Sequence, residues 1–319
     1  MTLAPTHLSR LSNRARRTTE PHISWLMRKP LEEPQLISLA AGFVDQQSLP
    51  ATELKELIDQ VFATEGDAQK ALQYGSTIGY QDLRNVLAQR LETAGLAAPV
   101  DPNHIVLTSG SQQLLFLITD VLVDAGDIVI VEDPTYFVYM GVLEGVGART
   151  LGVATDNDGM IPSALEERLE ALAQAGELHR LKILYLMTYY QNPKGTSHSW
   201  KRREELYEII MRYSTPEHHI YIVEDAAYYD LRFEGPEIPL MKKLDPYNER
   251  IILALTFSKG FSPGLRLGYG HLPAELVDPV LNQKGNHDFG SSNFAQHLAY
   301  RALTSGIYDA HVEKLQERY

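Results

Sequence analysis

The sequence has no cysteine, no long apolar run and relatively few basic residues. The absence of cysteine excludes disulfides, thiolate nucleophiles and cysteine-bound metals, and it suits a reducing compartment, so we predict a cytoplasmic location. The most apolar stretch, residues 114–123, contains Thr119 and Asp120 and is shorter than the roughly 18 residues of a membrane helix. The 29 Lys and Arg are outnumbered by 41 Asp and Glu, and this net charge of −12 argues against a nucleic-acid partner.

Short apolar runs alternate with amphipathic segments in the 319 residues, of which 44% are hydrophobic. Near-continuous apolar strands are typical of a mainly parallel sheet covered on both faces, so the pattern predicts an α/β fold. The predicted strands span residues 104–108, 128–132, 183–188, 220–224 and 251–257. The predicted helices span residues 51–64, with Thr52 as N-cap, and residues 80–94, 110–123, 199–213 and 307–319.

Polar residues follow these strands, at the sheet edge where open α/β folds bind ligands. Residues 109–112 (Ser-Gly-Ser-Gln) lie between a strand and a helix N-terminus, where free N–H groups and the helix dipole favour a phosphate. Asp225 and Lys259 each follow or end an apolar strand. A buried carboxylate needs a cation or a donor, and a desolvated lysine can become a neutral amine nucleophile.

Each of these features has an ordinary explanation when taken alone: a βα turn, a helix cap, and a lysine whose charge reaches solvent. Together they are what a pyridoxal phosphate site requires, with a lysine for the Schiff base, an aspartate for the pyridine nitrogen and a helix N-terminus for the phosphate. The sequence therefore indicates pyridoxal phosphate as the cofactor. No metal site is predicted, because the adjacent His218 and His219 have no further ligands at a suitable spacing.

Seven stretches carry a resemblance to a known family. They are residues 37–50, 71–87, 107–113 (LTSGSQQ), 131–136 (VEDPTY), 191–195 (QNPKG), 223–231 (VEDAAYYDL) and 256–268 (TFSKGFSPGLRLG). In this order they resemble the pyridoxal phosphate-dependent aminotransferases of fold type I, class I/II, and within them the branch of the 2-aminoadipate and kynurenine aminotransferases. The resemblance implies a three-layer α/β/α large domain with a mainly parallel sheet, and a small C-terminal domain that is missing or incomplete.

The resemblance also implies roles for individual residues. Lys259, Asp225 and Tyr228 would be catalytic: Lys259 would carry the cofactor and move a proton, and Asp225 would pair with the pyridinium nitrogen. Tyr228 and Asn192 would bond the ring oxygen, and Tyr136 would stack on the ring. The phosphate would be held by Ser109, Gly110, Ser111, Gln112, Thr256, Ser258 and Arg266.

Two implied roles concern the rim of the site. Tyr74 would reach the phosphate of the neighbouring subunit, which implies a homodimer. Gly42 and Asn192 would line the substrate side. The family's usual Gly-Gly-Leu-Pro reads Ala41-Gly42-Phe43-Val44 here, which alters the wall beside the substrate.

Three regions are expected from the resemblance. Residues 1–45 would form an N-terminal arm and part of a small domain, residues 46–290 the large cofactor-binding domain, and residues 291–319 the start of an interdomain helix and small domain. The sequence ends at Tyr319 without a helix-stop signal, and no counterpart of the family's carboxylate-binding C-terminal arginine precedes it. We therefore expect either a short gene product or a truncated chain.

The predicted function is transfer of an amino group from an amino acid to a 2-oxo acid, expected to be 2-oxoglutarate, by a double-displacement (ping-pong) mechanism. Three alternatives stay open. One is a cofactor-binding module that is catalytically incomplete, and another is a lyase or decarboxylase that uses the same cofactor. The third, a regulator's effector domain, is disfavoured by the acidic charge and by the roughly forty residues that precede the matching region, too few for a winged helix-turn-helix.

Overall fold

The computed structural model describes residues 10–20, 22–37 and 44–319. Its strands are β1 (Ile105–Thr108), β2 (Ile128–Asp133), β3 (Arg149–Asp156), β4 (Gly159–Met160), β5 (Leu181–Met187), β6 (Tyr221–Asp225), β7 (Ile251–Thr256) and β8 (Gly268–His271). They form one sheet in the spatial order β1-β8-β7-β6-β5-β2-β3-β4. Strands β7, β6, β5, β2 and β3 run parallel, whereas β8 is antiparallel to both β1 and β7. The carboxyl ends of β1, β2, β5, β6 and β7 therefore meet at one edge.

Alternate residues of each central strand pack into different clusters, which explains why these strands are apolar throughout. In β2, Val129 and Val131 belong to one buried cluster, whereas Ile128 and Ile130 belong to another. Since successive side chains of a strand point to opposite faces, helices must cover the sheet on both sides. This is the three-layer α/β/α arrangement expected from the sequence.

The helices provide those covering layers. They are α1 (Asn13–Arg17), α2 (His22–Glu32), α3 (Ala51–Val61), α4 (Glu65–Leu72), α5 (Gln81–Thr93), α6 (Ser111–Leu122), α7 (Phe137–Val146), α8 (Pro162–Gln174), α9 (Trp200–Tyr213), α10 (Phe257–Gly260), α11 (Ala274–Asp288), α12 (Asn293–Thr304) and α13 (Ile307–Arg318). Buried residues of α6, α7 and α11 share one cluster, and those of α8 and α9 share a second. Buried residues of α5 and α12 belong to the third.

The predicted elements agree with the structure to within a few residues, with one wrong assignment. Thr52 is not the N-cap of α3: Pro50 occupies that position, and the backbone already turns there because Ala51 N–H bonds to the Leu49 carbonyl. The helix also ends at Val61 rather than at residue 64. Strands β3 and β8 lack a continuous apolar run and were not predicted. Among the described residues, no helix combines the length and the apolar character needed to cross a membrane.

Candidate active site

The loops that follow β1 and β7 converge on β8. Gly268 pairs with Thr108 of β1 and with Thr256 of β7, so both strand ends lie beside the first residue of β8. A Cβ atom on Gly268 would lie 2.6 Å from the Ser111 backbone nitrogen and 2.7 Å from the Gly110 carbonyl carbon. Only a glycine permits this approach without a backbone shift. The start of α6 therefore packs directly against β8, the strand that follows Lys259 in the sequence.

The first turn of α6 forms an anion cradle. Gly110 precedes it at φ +84° and provides no side-chain cap. The Gln113 N–H donates to the Gly110 carbonyl at 3.2 Å, whereas the N–H groups of Ser111 and Gln112 are left for another acceptor. The Arg266 guanidinium lies against this turn: Nη2 donates to the Ser109 carbonyl at 3.4 Å, and a Cβ atom on Gly110 would be 3.1 Å from it. Thr256 Oγ1 lies 3.1 Å from Ser258 Oγ at the end of β7. These donors suit a phosphate dianion.

A buried lysine supports this cradle from behind. Lys284 of α11 is fully buried, and its Nζ bonds both carboxylate oxygens of Asp288 (2.9 and 2.8 Å), Ser291 Oγ (2.9 Å) and Gln113 Oε1 (3.3 Å). Gln113 Oε1 in turn accepts the Ser109 N–H at 2.7 Å. Sequence reasoning missed this network, because Gln113 and Lys284 lie 171 positions apart in the sequence and no local pattern indicates their contact.

Asp225 lies at the carboxyl end of β6 and is 3% exposed. Burial raises the pKa of its carboxyl group to about 6, although hydrogen bonds from Tyr185 and from the Ala227 backbone oppose that rise. Tyr185 Oη donates to Oδ2 at 2.8 Å, and Ala227 N–H donates to Oδ1 at 3.1 Å. The fold thus holds a carboxylate in the interior with two donors, ready for a cationic partner.

Lys259 lies on the short helix α10, which directly follows β7. Burial lowers the pKa of its amino group, and the Asp225 carboxylate partly opposes this effect. Its Nζ is 5.6 Å from the centre of the Tyr228 ring. A mostly buried lysine in such surroundings loses its proton more readily than an exposed one and can act as a nucleophile.

Tyr228, Asn192 and Tyr136 complete this side of the site. Burial raises the pKa of the Tyr228 hydroxyl, Asp225 raises it further, and a hydrogen bond from Asn192 lowers it. Burial and the same carboxylate raise the pKa of Tyr136 to about 12, against the effect of Arg266. The Asp225 charge therefore acts on both Tyr228 and Tyr136, and Asn192 lies beside Tyr228.

Two predicted residues lie apart from this group. Tyr74 is 83% exposed, and its ring packs edge-on against Phe289 with the centroids 5.6 Å apart. In the part of the chain that the structure describes, none of its contacts joins it to the anion cradle. Gly42 falls outside the described residues, so its predicted place beside the substrate stays a prediction.

Comparison with known proteins connects this arrangement to one family. Residues 34–319 match the family model "Aminotransferase class I and II". The chain is 33% identical over 291 residues to aromatic-amino-acid aminotransferase 1 of Thermococcus litoralis, an alignment that covers 91% of this chain and 67% of that protein.

Solved structures give the same result at the level of the fold. The kynurenine aminotransferase of Pyrococcus horikoshii superposes with a TM-score of 0.88 at 30% identity, covering 98% of this chain and 74% of that one. The α-aminoadipate aminotransferase of Thermus thermophilus, complexed with N-(5'-phosphopyridoxyl)-L-leucine, has a TM-score of 0.82 at 28% identity, covering 99% of this chain and 74% of that one.

Proposed function

Since this chain belongs to the class I and II aminotransferase family, we propose the roles by which its residues carry out amino-group transfer with pyridoxal phosphate. The reaction class and the cofactor follow from the family. The residue roles, the homodimer, the acceptor and the domain limits are our proposals. The observation that carries the residue roles is the position of Lys259, a mostly buried amine with a lowered pKa, which follows the end of β7, experiences the Asp225 charge and lies 5.6 Å from the centre of the Tyr228 ring.

The residues present fit pyridoxal phosphate on chemical grounds. The cofactor has a phosphate, a basic ring nitrogen and an aldehyde, and the site offers an uncapped helix N-terminus with an arginine, a buried carboxylate and an amine. Two further polar atoms, Gln112 Oε1 and Thr135 Oγ1, are buried with no hydrogen-bond partner among the described residues. Buried polar groups are rarely left without partners, which supports a polar ligand at this edge of the sheet.

Bound pyridoxal phosphate supplies an electron sink for the substrate's α-carbon. The chain's own groups provide binding and proton transfer. Lys259 Nζ would hold the cofactor between turnovers, and it would then take the proton from the substrate's α-carbon and return it to C4′ of the cofactor. Asp225 holds a proton on the ring nitrogen through charge pairing. The N–H groups of α6 with Arg266 bind the phosphate, while Tyr136 covers the ring and Tyr228 with Asn192 bonds its oxygen.

The two halves of the reaction balance as an exchange. An amino acid leaves its amino group on the enzyme and departs as a 2-oxo acid, and a second 2-oxo acid takes that group up. We propose 2-oxoglutarate as this acceptor, by similarity to the family. Gly42 and Asn192 are proposed to line the substrate side.

The assembly is proposed to be a homodimer in which Tyr74 reaches the neighbouring site. Its 83% exposure leaves the side chain accessible to another subunit, and Phe289 beside it is 60% exposed. We also propose three regions: an N-terminal arm and part of a small domain in residues 1–45, the large cofactor-binding domain in residues 46–290, and the start of an interdomain helix and small domain in residues 291–319. The cytoplasmic location stays a prediction, which cell fractionation tests.

Replacing Lys259 tests the proposed function. The purified protein should bind pyridoxal phosphate with a visible absorption band that an amino acid bleaches and 2-oxoglutarate restores. Lys259→Ala should lose the covalent attachment and all steady-state transfer, because no other amine takes the lysine's place. Lys201→Ala, which removes an 84% exposed lysine, should behave like the parent.

Other outcomes contradict specific parts of the proposal. Steady-state transfer by Lys259→Ala would overturn the lysine assignment. A parent band that no amino acid changes would indicate the catalytically incomplete module. Release of carbon dioxide, or of an eliminated group without bleaching of the band, would indicate a decarboxylase or lyase.

A further inference from the structure

A buried tyrosine lies directly behind the Asp225 carboxylate. Tyr185 is in the middle of β5, the strand next to β6, and is fully buried. Its hydroxyl lies 2.8 Å from Asp225 Oδ2. Burial and the neighbouring carboxylate raise the pKa of Tyr185 well above its usual value, so the hydroxyl keeps its proton and is the donor in this hydrogen bond.

The surrounding contacts leave Tyr185 little freedom. Its ring packs on that of Tyr139, with the centroids 4.4 Å apart, and Tyr139 is also fully buried. The Tyr139 hydroxyl is 3.0 Å from Thr119 Oγ1, which donates its own proton to the Leu115 carbonyl at 2.7 Å. Tyr139 must therefore donate to Thr119 rather than to Asp225.

We propose that Tyr185 is a positioning residue: its hydroxyl fixes the orientation of the Asp225 carboxylate and keeps it ionised for the cationic ring nitrogen of the cofactor. The orientation follows from the two donors, since Tyr185 binds Oδ2 while Ala227 N–H binds Oδ1. The inference rests on the proposed function for its catalytic consequence. The Tyr185–Asp225 hydrogen bond itself does not depend on that function.

Several groups around Asp225 favour its neutral form, and the hydrogen bond from Tyr185 opposes them. Burial and the carboxylates of Glu132 on β2 and Glu224 on β6 favour the neutral acid, whereas the two hydrogen bonds favour the carboxylate. Lys259 faces it from α10. The other neighbours are tyrosines, namely Tyr136, Tyr139, Tyr185 and Tyr228. Removing the hydroxyl of Tyr185 therefore removes the strongest side-chain interaction that favours the ionised form.

The first test is a titration of Asp225 in protein free of cofactor. Infrared difference spectra, with the band assigned by its loss in Asp225→Asn, report protonation of the carboxyl group directly. In Tyr185→Phe the titration midpoint should move upward by about one pH unit, because a hydrogen bond to a charged acceptor has been lost. Tyr139→Phe is the matched control: it deletes a buried hydroxyl that packs in the same cluster but bonds Thr119, and its midpoint should stay at the parent value.

The second test uses the loaded enzyme. In Tyr185→Phe, kcat should fall about tenfold, the lower limb of its pH profile should shift upward, and KM should change little. Far-UV circular dichroism establishes that both phenylalanine variants are folded. If Tyr185→Phe is misfolded, two other variants replace it in the titration. Tyr185→Trp retains a ring N–H donor, whereas Tyr185→Leu has no donor. Only the leucine variant should show the upward shift of the Asp225 midpoint.

Two results overturn the inference. One is an unchanged Asp225 midpoint in a folded Tyr185→Phe variant, and the other is an equal shift in Tyr139→Phe. If the parent protein binds no pyridoxal phosphate, the proposed function fails, while the infrared titration still decides whether Tyr185 keeps Asp225 ionised. The two failures are therefore distinguishable.

Discussion

Asp225 is an ionisable residue whose burial lowers the free energy of unfolding when no cofactor is bound. The pKa of its carboxyl group rises from 3.8 to about 6 in the fold, chiefly because burial penalises the charge. A raised pKa means that the folded state binds a proton more tightly than the unfolded state does. The contribution of Asp225 to the free energy of unfolding is therefore most favourable below about pH 4, falls as the pH rises from about 4 to about 6, and levels off above that.

Asp225→Asn should remove this dependence. Without cofactor, the variant should be more stable than the parent by about 2 to 3 kcal/mol above pH ~7, and the difference should shrink toward zero near pH ~4. Urea unfolding of both proteins across this range measures it. A stability difference that grows as the pH falls would contradict the sign of the shift. The same variant should lose most of its transfer activity, since the amide carries no charge for the ring nitrogen.

Lys284 is a second buried ionisable residue: burial lowers the pKa of its amino group, and the Asp288 carboxylate partly opposes this effect. Lys284→Met should lower the free energy of unfolding by about 3 kcal/mol, since the variant leaves the Asp288 carboxylate, 22% exposed, without its cation. Cofactor should also dissociate faster, because Gln113 loses the contact that orients it toward Ser109 N–H. Chemical unfolding and cofactor release measure the two effects.

The control for this change is an exposed lysine. Lys201 is 84% exposed and lies 3.6 Å from Glu205 in an i,i+4 pair on α9. Lys201→Met should change stability by no more than about 0.5 kcal/mol. Equal losses of stability in Lys284→Met and Lys201→Met would contradict the prediction that burial of the ion pair determines its contribution.

Sequence reasoning finds the residues that stand directly after apolar strands and misses those inside them. Asp225 and Lys259 were predictable because a strand end marks the ligand edge of an α/β sheet. Tyr185 was not, since a tyrosine inside an apolar strand has the pattern of an ordinary buried residue. Its role depends on the register that sets Tyr185 beside Val223 and Met187 beside Asp225, and no local pattern specifies that register.

At the scale of secondary structure, β8 connects the anion cradle to the Lys259 segment. It occupies four residues, Gly-Tyr-Gly-His, between β1 and β7. The apolar strands β2, β5, β6 and β7 were predictable from composition, whereas β8 was not. Two of its four residues are glycines, which are depleted in strands, and here they are required by close contacts with α6 and its side chains.

Gly268→Ala should therefore disturb the cradle. The new Cβ atom would meet backbone atoms of Gly110, Ser111 and Leu255 at 2.9 Å or less, and backbone cannot move aside as a flexible side chain can. We expect a loss of about 2 kcal/mol in the free energy of unfolding and weaker binding of pyridoxal phosphate. Urea unfolding and a cofactor titration measure these effects.

Gly141→Ala provides the matched control. Gly141 lies on the exposed side of α7, and nothing lies within 4 Å of an added Cβ atom. Alanine favours helix, so this variant should be as stable as the parent or up to about 1 kcal/mol more stable. Unchanged cofactor affinity in Gly268→Ala would contradict the proposed link between β8 and the cradle.

For the whole molecule, the proposed homodimer predicts complementation between two inactive variants. If Tyr74 serves the neighbouring site, a hybrid of Tyr74→Ala and Lys259→Ala subunits has one site with both defects and one site with none. An equal mixture, dissociated and reassembled, should recover about a quarter of the parental activity, because half of the dimers are hybrids. Steady-state transfer assays, with sedimentation to establish the dimer, measure this.

The same mixture gives a different result if Tyr74 acts within its own subunit. Each site of a hybrid would then carry one defect, and no activity above that of the separate variants would appear. Sequence alone could suggest Tyr74 only through the family resemblance. Nothing local distinguishes a tyrosine that is exposed to solvent from one that is exposed to a partner.

The position of β8 also has a consequence for biosynthesis. Among the described strands, β1 pairs with β8 alone, and 159 residues separate Thr108 from its partner Gly268 in the sequence. A ribosome that has already released β1 and α6 must translate the whole of β2 to β7 before the partner strand exists. The anion cradle, Lys259 and Arg266 are therefore completed together, late in translation, and a nascent chain interrupted before β8 has no assembled site to which the cofactor could bind.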